Sequence, residues 1–119
     1  MIILFFEGLL RPFEAAPLLN AIRKVTNLPI HFHTHATSSG SIASCLEMAR
    51  HGCEIIDFCT ASMADGTSQP SLNAFVAMME GAPNDTQLNF LNLEPYDIYW
   101  VISVVFSSKI VFLLFIFYS

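Results

Sequence analysis

Three of the chain's four histidines, His31, His33 and His35, fall at every second position of the stretch PIHFHTHATSSG. In a β-strand, alternate side chains share one face, so this spacing lines three imidazoles along one side of a strand. Two imidazoles at i and i+2 can bring their nitrogens to one divalent ion at about 2.0–2.1 Å. His33 and His35, toward the strand's carboxyl end, are the candidate metal ligands. The competing reading is a strand whose polar alternate positions happen to be histidine, although imidazoles buried without partners are costly. His31 lies one pair deeper and reads as a hydrogen-bonded interior residue rather than a third ligand. His51, at a helix end, reads as a surface residue favoured by the negative helix terminus. No residue qualifies as catalytic or as binding an organic cofactor.

Asp57 stands inside the apolar run Ile55-Ile56-Asp57-Phe58, and a buried carboxylate needs a partner. It either accepts an imidazole N–H behind a metal ligand or contacts substrate, or else it ties neighbouring backbone or an arginine. Thr37, Ser38, Ser39 and Ser41 read first as helix-capping residues and second as binders of phosphate or carboxylate. Cys45, Cys53 and Cys59 are odd in number and lack CxxC spacing. They read as small apolar core residues of a reducing compartment.

The elements that must position these residues alternate. Ile2 to Phe6 is a short apolar run suited to a buried strand. Pro12 to Val25 is a helix with Leu18, Leu19 and Ile22 on one side and basic residues near its end, provided Pro17 falls in the first turn. Leu28 to His35 is the histidine strand. Ser41 to His51 is a helix with Ile42, Cys45, Leu46 and Ala49 on one stripe, and Gly52 follows as the residue with left-handed dihedrals. Glu54 to Thr60 is a further strand. Ser71 to Glu80 is a helix with Leu72, Phe75, Val76 and Met79 on its stripe. Strand–helix alternation predicts parallel strands with helical crossovers, either a Rossmann-like sheet or a (β/α)₈ barrel, whose sites lie at the strands' carboxyl ends.

The 119 residues suffice for one modest core. The chain is 54% hydrophobic and 13% charged, with mean hydropathy +0.55. A net charge of −5 and no basic run exclude a nucleic-acid surface. The opening MIILFFEG lacks the basic region and length of a signal or transit peptide.

The stretch Leu9 to Gly81, with GLLRP, LPIHFHTH, HGCEIIDFCTASM and TSQPS, resembles the carboxyltransferase domain of pyruvate carboxylase, a similarity extending through NDTQLNF to about YDIYW. The resemblance implies part of a TIM (β/α)₈ barrel, with residues 2–81 supplying about its fifth to seventh strands and their helices. It implies that His33 and His35 bind zinc or manganese at the barrel mouth. There the family moves a carboxyl group from carboxybiotin to the enolate of pyruvate, giving oxaloacetate. Asp57 and the Thr67-Ser68-Gln69-Pro70 loop would form the mouth. The family's compartments are the mitochondrial matrix and the cytoplasm.

Departures from the family pattern matter as much. Aligned without gaps on GLLRP and the histidines, the family's carbamylated, metal-ligating lysine corresponds to Leu4, and the aspartate after the second histidine to Ala36. The family's metal-ligating first-strand Asp, substrate-binding Arg, proton-shuttling Thr and biotin-bearing Lys have no counterpart here. The chain alone is therefore expected to be inactive, with biotin attached elsewhere. Residues 1–97 are expected to form the partial barrel and 98–119 an apolar tail. The tail reads as a read-through, mis-spliced or truncated end, as a membrane span or as an ordinary buried segment, and Lys109 within it opposes insertion by about 2.5–3.5 kcal/mol. Two further readings stand beside the family one. The first is an interaction piece whose open sheet edges pair with full-length carboxylase or a second copy. The second is a membrane-anchored metal-binding protein.

Overall fold

The computed structural model describes the backbone of residues 1–117 and the side chains of residues 1–4 and 6–107. Three parallel strands, β1 (Ile2–Phe6), β2 (Ile30–Thr34) and β3 (Ile55–Ile56), lie side by side in chain order. The crossovers carry α1 (Ala15–Arg23) and α2 (Ser41–Arg50), and α3 (Leu72–Met79) follows β3. The strand–helix alternation read from the sequence is thus the observed architecture, an α/β unit with a parallel sheet.

β2 is the centre of the molecule. Ile30, Phe32 and Thr34 are buried on one face, while His31 and His33 stand half-buried on the other. The buried face meets Ala15 and Leu19 of α1, Cys45 and Met48 of α2, and Phe75 and Met79 of α3. Burial pushes the Cys45 thiol up to about 12, which makes it an inert core residue. All three cysteines are free.

Several boundaries differ from the sequence reading. The first helix begins as a 3-10 turn at Pro12–Glu14 and becomes α-helical at Ala15. Pro17 therefore sits in the first turn, where its missing N–H has no intrahelical acceptor to lose. β3 is two residues long because the chain leaves the ladder after Asp57, and Cys59 then bridges Ser71 instead. The most buried side of α2 is Ser41, Ser44, Cys45 and Met48; Ile42, Leu46 and Ala49 pack at its margin. Both serines are satisfied across the fold, Ser41 Oγ donating to the His35 carbonyl and Ser44 Oγ to the Leu10 carbonyl, each at 2.5 Å. Gly52, at φ +88°, terminates α2 as expected.

At the amino ends of the strands, the Arg23 guanidinium bonds Glu54 and the Leu28 and Gly52 carbonyls, while Glu54 Oε2 accepts from Ile30 N–H at 2.8 Å. The Ile30 hydrogen bond, then Arg23, hold the Glu54 carboxyl below its ordinary 4.5. A depressed folded value stabilises the protein above the ordinary value, and that contribution disappears as pH falls through the folded one. Glu54→Gln should therefore cost no more than about 1 kcal/mol at pH 7, the range for exposed pairs. The difference from wild type should vanish in urea melts well below pH 4.5.

The long helix α4 (Glu94–Phe117) starts four residues before the expected tail. Pro95 and the acidic Glu94 and Asp97 suit a helix amino terminus. Asp97 docks it, accepting from Ser62 N–H at 3.0 Å and from Asn73 Nδ2 at 2.6 Å. Tyr96, Tyr99, Val101 and Phe106 are exposed. Among the described residues no helix is long and apolar enough to cross a membrane. The side chains of 108–117 and all of Tyr118 and Ser119, on which the expected span also rested, lie outside the described residues.

Candidate metal centre

The carboxyl end of β2 carries the site. Because β3 runs parallel to β2 with Ile55 level with His31, Asp57 falls beside His33 on the histidine face. Its carboxylate bridges two rings: Oδ1 accepts from His31 Nε2 and Oδ2 from His33 Nδ1, each at 2.7 Å. Of the alternatives open from sequence, the imidazole acceptor is the one observed. Partial burial pushes the Asp57 carboxyl up, but the His33 and then the His31 hydrogen bonds, with the rings' charge, outweigh it. The group lies below its ordinary 3.8 and is ionised at neutral pH.

A carboxylate can only accept, so His33 Nδ1 carries a hydrogen. His35 Nδ1 lies 2.6 Å from the Thr67 carbonyl oxygen, also an obligate acceptor, and carries one too. In the neutral rings both Nε2 atoms are then bare donors of electron pairs, and they face each other at 3.4 Å. The rings stand edge to face at 63°. His31 turns its Nε2 to Asp57, and its buried Nδ1 has no hydrogen-bond partner among the described residues. His51 is half-exposed and bonds its own helix through the Glu47 carbonyl, away from the site.

The loops are tied by hydroxyls in a way the sequence did not indicate. Thr37 Oγ1 donates to the Glu7 carbonyl and Ser38 Oγ to the Gly8 carbonyl, each at 2.6 Å, so neither caps α2. The α2 amino cap is Gly40. Ser39 adopts φ +58° and donates its N–H to the Ala36 carbonyl. The Thr67–Pro70 loop folds onto the β2 end through Ala36 N–H to the Ser68 carbonyl, at 2.8 Å. Cys59 Sγ braces it against Ser68 Oγ and Gln69 Oε1. Thr67 contributes a backbone oxygen, which no residue-type signal could reveal.

Leu4 pairs with Phe32 and packs against the core, on the face away from the histidines; the β1 position level with His33 is Phe5. Neither residue type offers a ligand atom. Among the described residues no group of three or more His, Cys, Asp or Glu side chains is arranged around one ion position. Cavities of about 520 Å³ beside Glu80 and Asp85 and about 490 Å³ beside Cys53 and Phe75 lie along α3, and neither is lined by a histidine.

A family model described as HMGL-like matches residues 7–97, and the chain belongs to that family. Within it, the chain is homologous to a segment of the carboxyltransferase domain of pyruvate carboxylase. Pyruvate carboxylase 1 of Caenorhabditis elegans is 42% identical over 94 residues, covering 78% of this chain and 8% of that protein. The mitochondrial pyruvate carboxylase of Homo sapiens is 38% identical over the same length. The carboxyltransferase domain of Rhizobium etli pyruvate carboxylase, solved with pyruvate and biocytin, superposes with a TM-score of 0.76 at 35% identity. That match covers 82% of this chain and 17% of the solved one. The chain thus spans less than a tenth of the length of these curated relatives.

Proposed function

We propose that residues 1–97 form one side of a pyruvate-carboxylase-type barrel, and that His33 and His35 supply two nitrogen ligands to a divalent metal, zinc or manganese, at its mouth. The carrying observation is the 3.4 Å approach of the two Nε2 atoms, with each ring's Nδ1 committed to an acceptor. Two nitrogens bound at about 2.0–2.1 Å in a tetrahedral site stand about 3.4 Å apart, so the pair fits an ion as half of its coordination sphere. The carboxylate and carbonyl behind the rings match the partners that metal-bound imidazoles use. One-sided helix cover supports a barrel over a doubly wound sheet: α1, α2 and α3 pack the Phe32 face, while Ile3 and Ile55 on the histidine face are exposed. The family match ending at residue 97 supports 98–119 as an appended tail.

When bound there, the ion would polarise the carbonyl of pyruvate and stabilise the enolate that takes the carboxyl group from carboxybiotin. His33 and His35 hold the cation, Asp57 and Thr67 orient them, and Leu4 and Ala36 contribute no ligand. Residues beyond this chain must complete the sphere, bind pyruvate and carry biotin. The family's compartments, mitochondrial matrix and cytoplasm, follow as part of the same reading. Exposed Ile3 and Ile55 near the sheet edges also favour pairing with complementary barrel strands, in a full-length carboxylase or a second copy.

Isothermal titration of the full chain should show one zinc or manganese ion bound per chain. The double variant His33→Ala, His35→Ala should bind at least about 100-fold more weakly, since each imidazole is half of the protein's ligand set. Equal binding by that variant would remove the pair from the proposal.

A further inference from the structure

The metal reading uses the two outer histidines and does not account for the sharing of one half-buried carboxylate between His31 and His33. We infer that Asp57, pinned by His31, is the positioning residue that fixes His33 in its Nδ1–H tautomer and aims Nε2 at a cation shared with His35. The inference rests on the proposed role of His33 and His35; it adds His31 as the anchor of Asp57 and names the tautomer that Asp57 fixes.

The geometry carries it in three steps. His33 has one proton to place when neutral, and the nitrogen that keeps it cannot donate an electron pair to a cation. Asp57 Oδ2, 2.7 Å from Nδ1, draws that proton to the side away from His35. The carboxylate is held against rotation because its other oxygen accepts from His31 Nε2 at the same distance. The site therefore needs His31 as an anchor, which accounts for a third histidine on the face without making it a ligand. His31 in turn has no easy alternative tautomer. Moving its proton to Nδ1 would place an N–H where no acceptor stands among the described residues.

That asymmetry makes Asp57→Asn informative. A carboxamide has one accepting oxygen and one donating nitrogen, so it cannot serve both rings as Asp57 does. Directing its NH₂ at His31 would force the proton onto the buried Nδ1. The NH₂ is therefore expected to face His33, whose proton then moves to Nε2, the atom the cation needs.

The test is a long-range ¹H–¹⁵N correlation of the imidazole nitrogens in the metal-free full chain, paired with zinc titration. Wild type should show His33 as Nδ1–H. Asp57→Asn should show it mainly as Nε2–H and bind zinc about 10–100-fold more weakly, the cost seen when partners behind metal-bound histidines are removed. Retention of Nδ1–H in the variant, or zinc affinity within about twofold of wild type whatever the tautomer, would overturn the inference. So would Nε2–H in the wild type. Should Asp57→Asn not fold, His31→Phe supplies the second comparison. It keeps the carboxylate but frees it to rotate, and should give a mixed His33 tautomer and several-fold weaker zinc; an unchanged Nδ1–H tautomer there would also overturn the inference. A wild-type chain that binds no zinc would sink the metal reading, while the tautomer measurement would still decide the role of Asp57.

Discussion

Gly8→Ala should lower stability by about 2–5 kcal/mol and, with it, abolish the metal binding proposed for His33 and His35. Gly8 has φ +84°, a region that costs an L-residue about 1–2 kcal/mol. The larger part is steric. A Cβ at Gly8 would overlap Thr37 Oγ1 and lie 2.7 Å from the His35 carbonyl oxygen, where the neighbour is backbone and cannot swing away. Relief requires β1 and the β2 end to part. That breaks the bond from Thr37 to the Glu7 carbonyl and moves the residue that carries one of the two Nε2 donors. Urea denaturation read by circular dichroism measures the stability loss. Zinc titration of the variant under folding conditions measures the displacement of His35. A variant as stable as wild type would show that the close packing of these loops is wrong.

Phe32→Ala should cost about 3–5 kcal/mol, a large share of the roughly 5–15 kcal/mol that holds a whole domain folded. Phe32 is fully buried on the central strand, with the Phe6 ring 5.9 Å away and α1, α2 and α3 closing over it. No neighbouring strand can move inward to fill the gap, because β1 and β3 are both hydrogen-bonded to β2 on either side. Its chain neighbours are His31 and His33, so the site is lost with the fold. The double variant His33→Ala, His35→Ala changes the opposite face and should lower the denaturation midpoint much less, since Asp57 keeps its bond to His31. The contrast separates residues that build the sheet from residues that stand on its other face. A mild Phe32→Ala phenotype would place the core elsewhere.

The sequence made the order of elements legible because apolar periodicity and glycine punctuation act locally: Gly52 and Gly81 end helices at positive φ as their positions suggested. The histidine face was legible for the same reason, period two being a local property. What stayed hidden depended on contacts between distant segments. The α2 face centres on Ser41 and Ser44, polar by type yet buried, because each hydroxyl finds a carbonyl six or thirty-four residues away. Thr37 and Ser38 looked like caps but bond carbonyls some thirty residues back. Asp57 could not be resolved from sequence because its partner depends on the register of β3 against β2. Leu4 was legible as a position without a ligand atom, but not as a core residue facing away from the histidines. Motif resemblance supplied the family where periodicity could not separate two parallel-sheet folds.

X-ray absorption on the zinc-loaded full chain tests the pairing of His33 and His35 most directly. The first shell should contain two imidazole nitrogens at about 2.0–2.1 Å, completed by oxygen, and both should disappear from the spectrum of the double alanine variant. A sulfur shell near 2.3 Å, or a spectrum unaltered in that variant, would contradict it.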